Sequence, residues 1–187
     1  MSTLILPDPS LVVLVGAAGS GKSTLAAQLF APDEIVSSDA LRAAVSGSEA
    51  DQSASRVAFR ILHRTIERRL AERATTVVDA TNLKPEYRRP LLARGRAAAT
   101  PIVAIVLDLP SDVVMARNAA RLARVVDPAV VERHLESVRT VDSGRLAAEG
   151  FDHVVMLRSV ADVARLRIER RGPARPREPA LTPDKRR

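Results

Sequence analysis

Short apolar runs alternate with amphipathic stretches along this chain, in the order that an α/β protein requires. The run LVVLV at residues 11–15 contains no polar position, which is typical of a strand buried on both faces of a parallel sheet. Similar but shorter or mixed runs predict further strands at 35–36, 75–81, 101–109 and 153–157. Apolar positions at helical spacing, together with helix-start signals, predict helices over 51–73, 85–98, from about 111, 128–148 and 160–170.

Repeated strand–helix units predict a parallel sheet of about five strands with helices on both faces. Because crossovers between parallel strands are right-handed, we expect the ligand crevice at the carboxyl ends of the strands. Pro85 and Pro128 suit the first turn of their helices, and Ser111 or Asp112 can cap the helix between them. The length of 187 residues fits one domain, which we place at residues 1–170.

One motif follows the first long strand directly, where GAAGSGKS matches GxxxxGK[ST]. Glycines let such a loop turn its backbone N–H groups inward around a phosphate, and the following helix adds its positive dipole end. Lys22 supplies a point charge to the β- and γ-phosphates, and Ser23 supplies a hydroxyl ligand for Mg²⁺. The motif predicts a P-loop NTPase-like fold that binds ATP and Mg²⁺ through Gly16, Ala17, Ala18, Gly19, Ser20, Gly21, Lys22, Ser23 and Thr24.

Asp39 follows the second predicted strand and is expected beside this P-loop. A carboxylate there can accept the proton of an attacking hydroxyl and orient it for in-line transfer. Arg42 lies one helical turn later, where it can hold an anionic group of the substrate. The same spacing also fits a Ser38 or Asp39 that only caps a short helix, so the two interpretations stay open.

Asp79 ends the third predicted strand, in VVDATN. An aspartate in this place can contact Mg²⁺ directly or through water. It can equally support the site through hydrogen bonds to Thr81 and Asn82.

Arg117, Arg121 and Arg124 stand at i, i+4 and i+7 and therefore share one helical stripe. They can form an arginine-bearing lid that folds over the triphosphate, or a plain solvated face. The histidines have no paired spacing, so no ligand or catalytic role is expected for His63, His134 and His153.

Composition excludes several other classes of protein. The absence of Cys excludes a disulfide scaffold, a thiolate metal site and a Cys nucleophile. No apolar run approaches the roughly 20 residues of a membrane span, so we expect a cytoplasmic protein with no membrane partner. The chain has only four aromatic residues, which removes the usual stacking platform for single-stranded bases.

The formal net charge of +7 is concentrated at the end of the chain. Residues 171–187 contain six basic residues, two acidic residues and four prolines. This composition predicts a disordered tail, which either solubilises the protein or binds phosphates.

Residues 10–157 resemble the kinase domains of bacterial polynucleotide 5′-hydroxyl kinases, as found in RNA end-repair proteins. The resemblance implies a phosphotransferase that moves the γ-phosphate of ATP to a polynucleotide 5′-hydroxyl, in RNA or DNA. It rests on GAAGSGKST (16–24), VSSDALR (36–42), DQSAS (51–55), VVDATN (77–82), VLDLP (106–110) and ARNAAR (116–121).

The resemblance also implies a role for each matching residue. Asp39 becomes the general base for the 5′-hydroxyl, and Arg42 contacts a phosphate of the acceptor strand. Lys22 and Arg117 bind the phosphoryl group in transfer, and Arg121 is a lid contact to the donor nucleotide. Phosphatase and ligase activities would belong to separate proteins, and self-association stays open.

Two other functions remain open on sequence grounds. A small-molecule hydroxyl kinase, acting on an antibiotic, sugar or nucleoside, would use the P-loop and Asp39 in the same way but would close a pocket over its acceptor. A nucleotide-dependent binding protein without transfer would need no base beside the γ-phosphate, so Asp39 argues against it.

Overall fold

Five parallel strands form the centre of the molecule. The computed structural model describes residues 2–46, 55–122 and 125–172. In chain order its strands are β1 (Ser2–Pro7), β2 (Leu11–Gly16), β3 (Ile35–Ser37), β4 (Thr76–Asp79), β5 (Ile102–Leu107), β6 (His153–Leu157) and β7 (Leu166–Arg171). The central sheet has the spatial order β3–β4–β2–β5–β6, and every neighbouring pair is parallel. The predicted five-stranded parallel sheet is confirmed.

Helices connect these strands and cover the sheet. They are α1 (Lys22–Leu29), α2 (Ser38–Ser46), α3 (Ser55–Ala71), α4 (Pro85–Ala97), α5 (Ser111–Ala119), α6 (Pro128–Arg139), α7 (Ser143–Glu149) and α8 (Val160–Arg165), with a short 3₁₀ helix at Pro32–Glu34. Within the described part of the chain, no helix is long and apolar enough to cross a membrane.

The pleat of the central strand divides the core into two layers. Leu11, Val13 and Val15 of β2 pack on one face with residues of α3, α4, α6 and α7. Val12 and Leu14 point to the other face, where they pack with α1, β1 and β7. Both faces of β2 are therefore buried, which explains why its sequence has no polar position.

One predicted helix is divided into two in the structure. The helix expected over 128–148 ends at Arg139, and α7 begins at Ser143. The Thr140 hydroxyl donates to a backbone carbonyl of α6 at 2.8 Å. The Asp142 carboxylate accepts from a backbone N–H of α7 at 2.8 Å and caps that helix. Such local side-chain bonds compete with continuation of a helix, and this competition separates α6 from α7.

The last predicted helix is also too long. The helix expected over 160–170 ends at Arg165, and the chain continues as β7. β7 pairs in parallel with β1, a strand that the sequence pattern did not predict. Leu166 is buried on the sheet face that contains Val12, so tertiary burial outweighs helix propensity here.

Two further differences concern the ends of elements. The residue before α5 is Pro110, and no side chain caps this helix, so the expected cap by Ser111 or Asp112 is wrong. The composition assigns Arg171 to the basic tail, whereas in the structure it is the last residue of β7. Residues 173–187 of that tail lie outside the described residues.

A buried arginine joins the loop after β4 to the helices beneath the sheet. Arg88 of α4 donates to both oxygens of the Glu149 carboxylate, at 2.7 and 2.5 Å. It also donates to the backbone carbonyls of Asn82 at 2.9 Å and Leu83 at 2.6 Å. The Asn82 amide in turn donates to the carbonyl of Leu14 in β2, at 2.8 Å. These bonds fix the loop that follows β4 against the central strand.

Removal of this arginine should destabilise the whole domain. In Arg88→Met, the Glu149 carboxylate and two backbone carbonyls lose their buried donor. We expect the free energy of unfolding to fall by about 3 kcal/mol or more, measured by urea denaturation followed by circular dichroism. The neighbouring Arg89 is exposed, so Arg89→Met should change the same quantity by less than about 0.5 kcal/mol. Equal effects of the two substitutions would contradict the assigned role of Arg88.

Candidate active site

The P-loop connects the end of β2 to the start of α1, at the carboxyl edge of the sheet. Gly19 has φ 84° and Gly21 has φ 94°, values that favour glycine. A Cβ atom on Gly19 would lie 2.8 Å from the carbonyl oxygen of Val114, and one on Gly21 would lie 3.3 Å from the Arg117 guanidinium. The loop can therefore pass this close to α5 only because these positions have no side chain.

Lys22 is a buried cation at the end of this loop. Its side chain is buried, and Nζ donates to the carbonyl oxygen of Ala17 at 2.7 Å. Burial lowers the pKa of Lys22 to about 8; the Asp79 carboxylate opposes this effect, and the Arg121 guanidinium adds to it. An anion bound at the loop would offset the cost of burying this charge.

Asp79 lies at the end of β4, directly beside the P-loop. Its carboxylate accepts a hydrogen bond of 2.7 Å from the Ser23 hydroxyl. The alternative partners expected from the sequence were Thr81 and Asn82, but the Asn82 amide donates to Leu14 instead. A hydroxyl and a carboxylate in contact are the hard oxygen donors that Mg²⁺ prefers.

This donor pair suits a metal ion that is shared with a nucleotide. Among the described residues, no group of three or more His, Cys, Asp or Glu side chains could hold a metal by itself. Mg²⁺ often binds through one or two protein oxygens and takes its other ligands from phosphates and water. Ser23 and Asp79 fit that pattern.

The register of β3 and β4 brings Asp39 to the same edge of the sheet. Ser37 pairs with Asp79, and Asp39 follows two residues later, in the first turn of α2. The Asp39 carboxylate forms an ion pair with Arg42, one helical turn along. Arg42 is buried, whereas 37% of the Asp39 side chain is exposed. The N–H of Ala40 donates to the Ser37 hydroxyl at 3.4 Å.

One cleft of about 770 Å³ joins these residues to the P-loop. Its lining contains the Asp39–Arg42 pair, Lys22, the Ser23–Asp79 pair and two of the three predicted lid arginines, Arg117 and Arg121. An apolar part of the lining comes from Val126, Val130, Val160, Val163 and Ala164. The cleft therefore combines cations, carboxylates and an apolar wall at the carboxyl edge of the sheet.

The predicted stripe of three arginines is not one helical face. Arg117 lies in α5 and donates to the carbonyl of Ser20 at 3.3 Å, but α5 ends at Ala119. Arg121 follows in the loop, and Arg124 lies outside the described residues. The Asn118 amide explains where the helix ends, because it bonds the backbone of Val126 at 2.7 and 3.1 Å and closes the loop back on α5.

His134 is a cleft residue for which the sequence pattern predicts no role. Its Nδ1 accepts a long hydrogen bond of 3.4 Å from the backbone N–H of Ala18 in the P-loop. Burial lowers the pKa of His134, and the charges of Lys22 and Arg133 lower it further. The neutral ring can accept the Ala18 bond, and protonation of Nδ1 would remove it. No local pattern indicates this contact, since the two residues are 116 positions apart.

The position of Lys22 predicts that nucleotide binding takes up protons in mildly alkaline solution. With a pKa of about 8, roughly three quarters of the Lys22 side chains are neutral at pH 8.5. Phosphates favour the charged form, so ATP binding at this pH should take up between about half and three quarters of a proton. Calorimetry in two buffers of different ionisation enthalpy measures this number.

The control for this measurement is Lys22→Arg, whose guanidinium stays charged at every pH of the experiment. Proton uptake at pH 8.5 should disappear in that variant. Equal uptake by the two proteins would mean that another group takes up the proton.

The sequence matches one protein family over most of its length. The model of a family described as an AAA domain matches residues 11–141, from the first residue of β2 to the loop after α6. None of the curated protein sequences matches the chain.

Several solved structures share this fold. The Pnkp1/Rnl/Hen1 RNA repair complex contains a chain with 23% identity and a TM-score of 0.61, and the match covers 77% of this chain and 46% of that one. Kti12 of Chaetomium thermophilum, in complex with ADP-AlF3, has 18% identity and a TM-score of 0.60, with 82% and 93% covered. A gluconokinase of Sinorhizobium meliloti has 21% identity and a TM-score of 0.50, with 85% and 94% covered.

At these identities the likeness shows the fold alone, which is a nucleotide-binding, P-loop kinase-like fold. The proteins that share it include an RNA repair complex and a small-molecule kinase, so the fold leaves the acceptor open.

Proposed function

Since the chain belongs to the AAA domain family, we propose that it is an ATP- and Mg²⁺-dependent phosphotransferase whose acceptor is the 5′-hydroxyl end of a polynucleotide, RNA or DNA. The observation that carries this proposal is the meeting of Lys22 and the Asp39–Arg42 pair in one cleft. A donor site and an acceptor site must share such a cleft if a phosphoryl group is to pass between them.

The donor side of the proposal uses the P-loop and the two arginines that line the cleft. Backbone N–H groups of residues 16–24 and the Lys22 ammonium bind the phosphates of ATP. Arg117 lies against the P-loop at Ser20, where its charge can stabilise the phosphoryl group in transfer. Arg121 contacts the donor nucleotide from the loop after α5.

Ser23 and Asp79 hold Mg²⁺ in this proposal, through the hydroxyl and carboxylate oxygens that already lie 2.7 Å apart. The ion supplies positive charge that neutralises the phosphate oxygens of the bound nucleotide.

The acceptor side centres on Asp39. Its carboxylate accepts the proton of the 5′-hydroxyl as the hydroxyl oxygen attacks the γ-phosphorus of ATP. A new phosphorus–oxygen bond forms to the 5′-oxygen, and the bond from the γ-phosphorus to the bridging oxygen breaks. ADP leaves with the bonding electrons, and the proton stays on Asp39 until it passes to solvent.

The Asp39–Arg42 pair favours an acceptor with a negative charge near its hydroxyl. In the structure the Arg42 guanidinium is held by the Asp39 carboxylate. An acceptor phosphate can form a second ion pair with Arg42 and weaken the Arg42–Asp39 pair, which leaves the carboxylate able to accept the hydroxyl proton. A polynucleotide end carries such a phosphate one nucleotide away from its 5′-hydroxyl, whereas a neutral sugar does not.

A small-molecule hydroxyl kinase is the second candidate. The observation that favours it is the volume of the cleft, about 770 Å³, which falls within the range of ordinary small-molecule pockets. Such an enzyme would use Lys22 and Asp39 identically, so only the choice of acceptor separates the two proposals.

Label transfer from γ-labelled ATP tests the proposal. The acceptors would be 5′-hydroxyl RNA and DNA oligonucleotides, the same oligonucleotides with a 5′-phosphate, gluconate and a free nucleoside. We expect transfer only to the 5′-hydroxyl oligonucleotides. Asp39→Asn should reduce the rate by about a hundredfold or more while ATP binding changes little.

The matched control is Asp33→Asn, which removes an exposed carboxylate in the short helix before β3 and should keep the rate of the natural protein. Transfer to gluconate or the nucleoside but to no oligonucleotide would contradict the proposal that the acceptor is a polynucleotide. Undiminished transfer by Asp39→Asn would overturn the assignment of the base.

A further inference from the structure

Two of the four aromatic residues of the chain form a stacked pair beside the cleft. Phe30 and Phe151 are buried in the core. The other two, Phe59 of α3 and Tyr87 of α4, stack with their ring centroids 6.5 Å apart and their planes at 12°. The small number of aromatics had suggested that the protein lacks a surface on which bases could stack, and this pair changes that expectation.

One ring of the pair lies in the cleft. Phe59 is part of the cleft lining together with Asp39 and Arg42. The Phe59 side chain is partly exposed, and Tyr87 is 49% exposed. Aromatic surface is therefore open to a planar ring at the cleft that contains the proposed base.

A row of arginines continues along the exposed face of α3. They stand four residues apart, all four are exposed, and they are Arg56, Arg60, Arg64 and Arg68. Residues four apart on a helix are neighbours roughly 6 Å from one another along the axis, so the row is about 18 Å long. This spacing is of the same order as the distance between successive phosphates of an extended single strand.

The positive charge of the arginine row is not neutralised by an ion pair within the described part of the chain. None of the ion pairs between the described residues involves a member of the row, and Glu67 of the same helix is paired with Arg94 of α4 at 2.9 Å. The row begins on either side of Phe59 in sequence, since Arg56 precedes that residue by three positions and Arg60 follows it directly. The basic row therefore begins at the same end of α3 that brings Phe59 to the cleft.

We propose that α3 binds the acceptor as a single strand, with a base near the 5′ end stacked on the Phe59–Tyr87 surface and the following phosphates along Arg56, Arg60, Arg64 and Arg68. The combination of stacking rings with a basic track is typical of proteins that bind single-stranded nucleic acid without strong sequence preference. A paired base has one or both ring faces covered by stacked neighbours and is held by its partner strand, so this surface favours a single-stranded end. The inference rests on the proposed function and narrows its substrate class.

Oligonucleotide binding without ATP tests the arginine row separately from catalysis. Fluorescence anisotropy with a 5′-hydroxyl single strand of ten nucleotides, at several salt concentrations, gives the slope of log Kd against log salt. Each phosphate contact contributes roughly 0.7 to this slope for single strands. The double variant Arg60→Gln with Arg64→Gln should therefore lower the slope by about 1.4.

The matched control removes two exposed arginines elsewhere, in the double variant Arg139→Gln with Arg165→Gln on α6 and α8. Its slope should stay within about 0.5 of the natural protein. Equal slopes for the two double variants would overturn the role of the arginine row.

The aromatic pair is tested with a strand that lacks its 5′-terminal or second base. The natural protein should bind the intact strand about tenfold more tightly than the abasic strands. Phe59→Leu and Tyr87→Leu should each reduce that difference, and thermal melting checks that both variants are folded. If both folded variants still show the full difference in affinity between intact and abasic strands, the stacking role is wrong. The role is also wrong if the natural protein binds a blunt hairpin as tightly as the single strand.

These outcomes separate the inference from the proposed function. Strand binding that follows the expected pattern without any phosphate transfer would overturn the phosphotransferase and leave the binding surface in place. Transfer to single strands with no dependence on Phe59, Tyr87 or the arginine row would overturn the surface and leave the phosphotransferase in place.

Discussion

The buried ammonium of Lys22 is the interaction on which the rest of the site depends. It lies at the start of α1, donates to the carbonyl of Ala17, and loses basicity because water is excluded from it. The Asp79 carboxylate, at the end of the neighbouring β4, opposes this loss and also holds the hydroxyl of Ser23. The positive charge of Lys22 therefore depends on the register between β2 and β4, which places Asp79 beside the P-loop. Buried side chains at the paired positions Val12↔Val77 and Val13↔Val78 set this register.

Strand order extends this constraint to the acceptor side. β3 pairs with the other edge of β4, so the residue after β3 arrives beside Asp79 and the P-loop. The first turn of α2 then directs Asp39 and Arg42 into the cleft, and α3, which packs against α2, brings Phe59 to the same cleft. The residues that we propose as donor site, base and acceptor surface are thus brought together by three adjacent parallel strands whose carboxyl ends meet at one edge.

The sequence predicts the parts of this structure that have a local pattern. Buried parallel strands such as Leu11–Gly16 are continuous apolar runs, and the P-loop motif is contiguous. β7 could not be predicted, because four of its six residues are charged and its partner β1 lies about 160 positions earlier in the chain. The His134–Ala18 contact and the Phe59–Tyr87 stack are likewise pairings between distant residues, for which one sequence gives no signal.

A crystal structure of the protein with ADP, Mg²⁺, aluminium fluoride and a short 5′-hydroxyl oligonucleotide is the most direct measurement. We expect the fluoride group at Lys22, with the 5′-oxygen in line behind it. We also expect an Asp39 carboxylate oxygen roughly 2.6–3.2 Å from that 5′-oxygen. A nucleotide held at the P-loop with the 5′-oxygen out of reach of Asp39, or with the oligonucleotide bound elsewhere, would contradict the account.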